Sequence, residues 1–477
     1  MTHTKFFGKL FRLYVEILWL QRTISVITNF QHFEMMFVVT DIYCIECDRL
    51  LLAHKDINVN AQITRWPCMG FTPLQLAAEN GHNECVKPLL TVPQINFNLV
   101  YTNEYKPILL ASQAGLVEML KEILEETTVD VNQQDARHKG YTPLHYAVIR
   151  GYTECVQLLV AHKYIDVNAK DCDGSLALHL AVKRGDIESV KLLLAHTNID
   201  VNAKRFDGTT VLVLAVQVGH SECLKALLSH KDIDVNAQNE DGDSVLHIAA
   251  SSGKVECVKL LVAHPDIDVN AKDNDGWAAL HFATSNGDGE CMKVLLSKEG
   301  INVNAQNKNG VTPLLSAASV GHSECLKLLL AMPRINTNSQ DTHGFAPLHS
   351  AALHGKSDCL RLLLEHQNPD INIKDNGGDT ALHKAAGTGR TDCVELLLDQ
   401  PSIAINSQNE HGNSPLHYAV YSGCTDCIQV LISASGIDLN VRNKKGRTPL
   451  HVAHDLTENK SIKQEIITLL LQHGATM

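Results

Sequence analysis

The chain has 477 residues, 44% of them hydrophobic and only 5% aromatic, so it can bury a large core but must build it from aliphatic side chains. Its 41 Lys and Arg face 53 Asp and Glu, a formal charge of −12 that argues against a sequence-independent grip on nucleic acid or anionic lipid across the whole molecule. No Pro- or Ser-rich linker, charge block or low-complexity tract divides the chain, so one continuous architecture is expected.

Residues 1–31 come first. Their longest apolar stretch, Leu13 to Leu20, is broken by Glu16 and falls far short of the roughly 20 residues that span a bilayer. No transmembrane helix is expected, and an uninterrupted apolar core with a small-residue cleavage site, the mark of a secretory signal, is missing. The segment reads as a capping helix or a misread start. A rival reading lays residues 1–22 in a lipid interface, making the protein a membrane-docking adaptor.

A fixed period governs the rest. Glycines at 140, 174, 208, 242, 276, 310, 344, 378, 412 and 446 stand 34 residues apart, Gly70 and Glu104 begin two earlier repeats, and a two-residue insertion precedes Gly140. That makes about twelve full repeats over residues 70–457. A second glycine follows 11 residues after the first in every repeat but the last, where Thr457 stands. Two positions after the first glycine comes a capping residue such as Thr72, Thr142, Thr312, Thr380 or Thr448, whose hydroxyl can accept an orphan backbone N–H. Proline often follows at the first helical position, as Pro143, Pro313 and Pro449 do. The second glycine is expected to end this first helix in the left-handed conformation. A second helix, capped by Thr153, Ser221, Ser323, Ser357, Thr391 or Thr425 and followed by an acid, then runs to a Leu-Leu pair. Helices this short are marginal alone. They must stack on their neighbours, which makes an all-α solenoid.

The run Gly140-Tyr-Thr-Pro-Leu-His145-Tyr-Ala, Gly151, Leu158-Leu159 and Asp166-Val-Asn168-Ala resembles the ankyrin repeat, and the pattern recurs in register from residue 70 to residue 457. The resemblance implies paired helices with a β-hairpin finger between repeats, and a concave surface of fingers and first helices that binds partner proteins. The chain departs from the family pattern in three places. Ala161-His162 to Asp166 lengthens the loop after the second helix by one residue. Residues 32–69 hold a degenerate half repeat, in which Glu46-Cys47, Leu51-Leu52, His54 and Asn60 fit the second helix and its loop. A polar insertion at 458–464 leads into a C-terminal capping helix, residues 458–477 together forming the end of the array.

Three residue columns mimic chemistry. Ten of the fourteen cysteines share one position in the second helix, where they read as small buried hydrophobes, and so many unpaired thiols imply a reducing compartment, cytoplasmic with the nucleus as the alternative. Cys44-x-x-Cys47 and Cys424-x-x-Cys427 have metal spacing, but each shares a member with that column and no second pair lies close by. Histidines fill the Thr-Pro-Leu-His slot and are read as hydrogen-bonding inside turns. Asparagine recurs from Asn98 to Asn440, read as a tight-turn residue that tolerates left-handed geometry. No phosphate-cradling loop, nucleophile elbow or His-Glu-x-x-His helix is found. Outside the repeats too little chain remains for a catalytic domain, so neither enzyme activity, cofactor nor metal is expected.

The expected function is that of a non-enzymatic protein-binding scaffold, monomeric and without nucleic acid, or an ankyrin-repeat piece of a larger multidomain protein. In the family the variable contact positions flank the first glycine and precede the second. In three consecutive repeats here they collect positive charge: Arg137 and Lys139 with Tyr141, then Arg150, Lys183 and Arg184, and Arg205 beside Phe206. Such a site would hold an acidic peptide or protein segment. Trp277 and Phe345, at corresponding finger positions, form a second candidate.

Overall fold

The computed structural model describes residues 59–60, 72, 92, 107–125, 129–136, 138–367, 369–456 and 460–477. Residues 1–31 and all but two positions of the half repeat over 32–69 therefore lie outside the described residues. Among the described residues 22 helices follow one another. The β pairing there consists of isolated antiparallel bridges, Asp135 with Tyr141, Lys204 with Thr210, Gln238 with Ser244 and Lys272 with Ala278. This is an all-α solenoid of helix pairs, each followed by a finger closed at its base.

Two compact units divide the chain, residues 1–214 and 215–477. The first contains the pairs Pro107–Ala114 with Val117–Glu125, Pro143–Arg150 with Thr153–Val160, and Ala177–Arg184 with Ile187–Leu194. The second runs from Ser221–Leu228 through Val245–Ser251, Ala279–Ser285, Pro313–Val320, Pro347–Leu353, Ala381–Gly387 and Pro415–Ser422, each with its second helix, to Pro449–Asp455 and Lys460–Gln472.

The repeat around Gly140 shows how the sequence dictates this. Thr142 takes an extended conformation at the N-cap and Pro143 follows at the first helical position. His145 then acts as the third-position partner of a capping box: its Nδ1 accepts the Thr142 backbone N–H at 3.1 Å. The same reach-back occurs where the N-cap has no hydroxyl, from Leu176 to His179 and from Ala346 to His349, so the histidine carries the cap. At the other end Gly151 sits at φ +76°, its N–H on Val148 O, while Tyr152 N–H returns to Ala147 O at 2.9 Å.

The expected cap of the second helix is corrected by the structure. Thr153, Ser221, Ser323, Ser357 and Thr391 are the first helical residues, and the N-caps are Tyr152, His220, His322, Lys356 and Arg390, none with a side-chain cap bond. The reason is the preceding helix ending, which uses the N–H of the residue after glycine and so fixes that residue as the hinge between helices. A hinge residue with a short acceptor side chain can cap, as Asp186 does for Ser189 N–H, Asp288 for Cys291 N–H and Cys424, just ahead of Thr425, for Cys427 N–H through its Sγ at 3.4 Å.

The first helices bury Leu with small or aliphatic residues, such as Leu246, Ala249 and Ala250, and the second helices of the cysteine column bury Cys, an apolar residue and Leu, such as Cys257, Val258 and Leu261, while Met119 and Ser189 take the place of the cysteine in Val117–Glu125 and Ile187–Leu194. The column cysteines from Cys155 to Cys427 are all buried and none is in a disulfide, while Cys47 and Cys85 lie outside the described residues. Burial pushes the thiols of Cys155, Cys325, Cys359 and Cys393 up to about 11 and those of Cys291 and Cys427 up to about 12.

Neighbouring repeats are tied at three levels. The finger tips share a backbone bond, Cys172 N–H to Lys139 O at 2.8 Å in the first unit and Lys308 N–H to Asp275 O at 2.9 Å in the second. This approach is so close that a Cβ on Gly344, itself at φ +81°, would lie 2.5 Å from Asn376 N. The column histidines form the second tie, since His145 Nε2 donates to Ser175 O at 3.0 Å, His281 to Val311 O and His349 to Asp379 O. With Nδ1 accepting and Nε2 donating, the ring is the neutral Nε2–H tautomer.

The asparagines form the third tie, and here the tight-turn reading is corrected. Asn270 donates to Gly300 O at 2.9 Å and accepts from Asn302 N–H at 2.8 Å, and Asn132, Asn168, Asn236, Asn304, Asn372 and Asn406 make the same pair of bonds to the next repeat. The local turn is closed instead by the residue two positions earlier, as Asp268 Oδ1 accepts Asn270 N–H. None of these asparagines is left-handed, for Lys139 is the one non-glycine residue with positive φ among those described.

Candidate protein-interaction surface

The surface expected to bind partners consists of finger tips and the ends of first helices. In the first unit the finger carrying Lys139 and Gly140 brings Lys139 Nζ to 3.0 Å from Asp173 Oδ2 on the next finger, an exposed pair of the kind that contributes little to stability. The hydrogen bond and charge of Asp173 raise the Lys139 pKa, and Lys139 in turn lowers that of Asp173. Tyr141 is half-buried, stacked on His145 at 5.9 Å and edge-on to Tyr146 at 5.5 Å. Tyr146 donates to Asp135 at 2.6 Å, anchoring the cluster to the finger base.

The arginines separate into two groups. Arg184 donates from Nη1 to Ile149 O at 2.8 Å and lies over Gly151, so it satisfies the last turn of the preceding repeat's first helix. Arg205 is only 26% exposed, bonded through Nε to Ser175 Oγ at 3.0 Å and through Nη1 to Asp207 at 3.2 Å. Its charge sits beside His179, whose pKa burial and then Arg205 depress to about 4. Arg150 and Lys183 are exposed at the ends of their helices and bond to nothing among the described residues. Phe206 is 73% exposed at its finger tip, with Lys170 Nζ 5.9 Å from its ring centre. Arg137 lies outside the described residues.

In the second unit, Trp277 is half-buried against His281 at 5.4 Å and Phe282 at 5.7 Å, and Phe282 extends the aromatic cluster to His247 of the preceding repeat. Phe345 packs on His349 and lies under Lys384 Nζ at 5.0 Å. Lys384 is itself held between Asp375 at 2.6 Å and Asp379 at 2.8 Å, and Asp379 also accepts from Asn409 and Tyr418. Burial opposes its charge, but the bonds to the two carboxylates outweigh it and the Lys384 pKa is raised. Trp277 and Phe345 thus stand two repeats apart as separate aromatic sites rather than as one pair.

Sequence reasoning overlooked Tyr421, which is 79% exposed at the end of Pro415–Ser422. The rule that selected Arg150 and Lys183 would have found it, because it stands two positions before Gly423. No group of three or more His, Cys, Asp or Glu placed to hold a metal occurs among the described residues, and no described helix is long and apolar enough to cross a membrane.

A repeated pair of short helices, a finger, and histidine and asparagine ties between successive repeats define an ankyrin-type repeat array. The family model for ankyrin repeats (3 copies) matches residues 108–205, 165–239, 212–307, 280–375, 367–443 and 404–477, and the single ankyrin repeat matches residues 69–98. The chain belongs to the ankyrin-repeat family, whose repeats form a protein-interaction domain. It is similar to alpha-latrotoxin-Lg1a of Latrodectus geometricus, 29% identical over 108 residues, and to alpha-latrotoxin-Lhe1a of Latrodectus hesperus, 30% identical over 105 residues. Each match takes in 22% of this chain, and the chain spans only 7–8% of the length of these relatives. The ankyrin repeat domain of Bcl-3, a member of the IκB protein family, is 30% identical with a TM-score of 0.42, over 44% of this chain and 94% of that one.

Proposed function

We propose that the protein is a non-enzymatic scaffold that binds partner proteins through its finger tips and first helices, and that its first unit takes an acidic segment. The observation that carries this is the combination of two unpaired cations, Arg150 and Lys183, with the exposed ring of Phe206. Unpaired charge at a surface steers an oppositely charged partner without first breaking an internal ion pair, and an exposed aromatic ring offers the apolar anchor of a hot spot. Lys139 adds a cation that can exchange Asp173 for a carboxylate of the partner. Arg184 and Arg205 are tied to the chain's own oxygens beside these cations, and Tyr141 is the half-buried floor between the fingers and the first helix. The net charge of −12 disfavours nucleic acid as the ligand. Buried thiols outside any disulfide support a reducing compartment, cytoplasmic or nuclear.

The test is titration of the full chain with a fluorescent peptide alternating Glu and Leu. Binding is expected to weaken with salt and to fall at least about tenfold in the double variant Arg150→Glu, Lys183→Glu, the scale of losing a charge-paired anchor. Unchanged affinity at low salt would overturn the assignment. A second reading, in which such an array serves as one region of a larger multidomain protein, is supported by the small share of each latrotoxin that the match occupies.

A further inference from the structure

Just after the second glycine stands the hinge residue, and from Tyr152 to Arg390 it is Tyr, Asp, His, Lys or Arg. Among the described residues only the repeat of Thr425–Ser433 has a cysteine there. The hinge is the N-cap and the cysteine column is the third helical position, so Cys424 and Cys427 stand three residues apart at one helix start. An ideal helix sets such Cα atoms about 5 Å apart, inside the roughly 4.4–6.8 Å that a disulfide spans. The sulfurs also share their surroundings. Cys424 Sγ accepts Cys427 N–H at 3.4 Å, and the Thr391 hydroxyl oxygen lies 3.9 Å from Cys424 Sγ and 3.4 Å from Cys427 Sγ. Both sulfurs therefore face the start of the preceding second helix, Thr391–Leu398. Sulfur is a weak acceptor, so as a cap Cys424 is a poor substitute for Asp186 or Asp288, and what it adds is thiol chemistry. Sharing a member with the column counts against a four-ligand metal site but not against a pair of thiols.

We propose that Cys424 and Cys427 are a reversible dithiol–disulfide site, oxidised by exchange with a small-molecule disulfide and reduced by the corresponding thiol. This site is independent of the scaffold reading. Cys424 reacts first, because it is half-buried whereas Cys427 is fully buried. Its thiolate, formed by loss of a proton to water, attacks one sulfur of the small disulfide. A bond to Cys424 Sγ forms, the small disulfide's own bond breaks, and the departing thiolate takes up a proton. Burial pushes the pKa of the Cys427 thiol up to about 12, which makes it a poor nucleophile toward anything in solution. Toward Cys424 it needs no solvent access. It gives up its proton as its sulfur attacks Cys424 Sγ, the mixed disulfide breaks, and the second small thiol leaves with that proton. Two electrons pass from the cysteines to the small disulfide, which ends as two thiols. In a reducing compartment the pair rests as the dithiol and closes when the disulfide share rises.

The experiment equilibrates the folded full-length chain with glutathione buffers of rising disulfide content at neutral pH, quenches with acid, alkylates the free thiols and maps linked peptides by mass spectrometry. A link between Cys424 and Cys427 is expected at a disulfide share at least about tenfold below that which half-modifies the exposed Cys172, because the second bond closes within the chain. Cys427→Ser should trap glutathione on Cys424, at least about tenfold more of it than the unaltered chain carries. Cys424→Ser, which keeps a good N-cap, should leave Cys427 reduced throughout. Melting curves identify any variant that unfolds, and Cys427→Ala, which puts no hydroxyl into the buried position, repeats the trapping comparison if Cys427→Ser does. Glutathione on Cys424 of the unaltered chain with no internal link would overturn the inference. So would two free thiols where Cys172 is fully modified, or a link that forms only in the denatured chain.

Discussion

Replacing Asn270 by alanine removes one rung of the asparagine ladder and nothing else of consequence. The rung consists of the bonds to Gly300 O at 2.9 Å and from Asn302 N–H at 2.8 Å. Each such bond contributes about 0.5–1.5 kcal/mol net, and because both lie at the surface, where water replaces part of what is lost, the pair should contribute about 1–2 kcal/mol. Alanine meets no backbone strain, since Asn270 has no positive φ to preserve. Hydrogen exchange locates the effect: the Asn302 amide, whose acceptor is removed, should exchange about tenfold faster, the equivalent of about 1.4 kcal/mol. The Asn270 amide, still held by Asp268, should keep its rate. Asn270→Asp should destabilise at least as much, because it keeps the acceptor for Asn302 N–H but turns a carboxylate oxygen toward the Gly300 carbonyl. If Asn302 exchanges at the original rate while Asn270 accelerates, the residue acts through its own turn and the ladder is refuted.

Lys384→Met leaves Asp375 and Asp379, whose side chains are under a tenth exposed, without their counter-ion. Denaturant unfolding should show a loss of about 3 kcal/mol, the lower end of the cost of breaking a buried pair, and adding Asp375→Asn with Asp379→Asn should restore most of it. Burial lowers the pKa of His145, His179, His247, His281, His349, His383 and His417 below the ordinary 6.5. The unfolded chain therefore takes up these protons first, so stability is complete above pH 6.5 and falls as the pH drops below it. The urea midpoint should decline from neutral pH toward pH 4, the region of His179, and a midpoint that rises on acidification would contradict the neutral-tautomer assignment. Among the described cysteines, Cys172 is exposed and should alkylate fast in the native protein, half-buried Cys424 more slowly, and the column cysteines only on unfolding. Mass spectrometry of labelled peptides reads all three classes, and rapid labelling of Cys257, Cys291 or Cys325 would refute the buried column.

What could be read from the sequence was local. Thr142 beside Pro143, and Gly151 with its left-handed φ, announce the two ends of a helix through atoms a few residues apart, and the spacing of the glycines announces the stack. What could not be read depends on partners in the next repeat. Asn270 looks like a turn former because nothing in its own repeat says that its carboxamide spans 30 residues to Gly300. Arg184 and Arg205 look like surface cations until Ile149 O and Ser175 Oγ are seen to accept from them. Tyr421 was legible and missed, since attention to charge favoured the basic repeats over a single ring at the same column.

The histidine and asparagine ties have a consequence for how arrays of this kind change. At the far end of each is a main-chain atom: the carbonyl that receives a column histidine belongs to Ser175, Ala271, Val311, Asp379, Asn413 or Arg447, six different residues performing one task. A repeat therefore makes no demand on the identity of its neighbour's side chains at these joints. Copying or excising a whole period would leave the joints intact, whereas a partial one would sever them. The joints keep register in a script common to every residue, and the outward-facing positions are left free to vary with whatever partner each stretch of the array comes to hold.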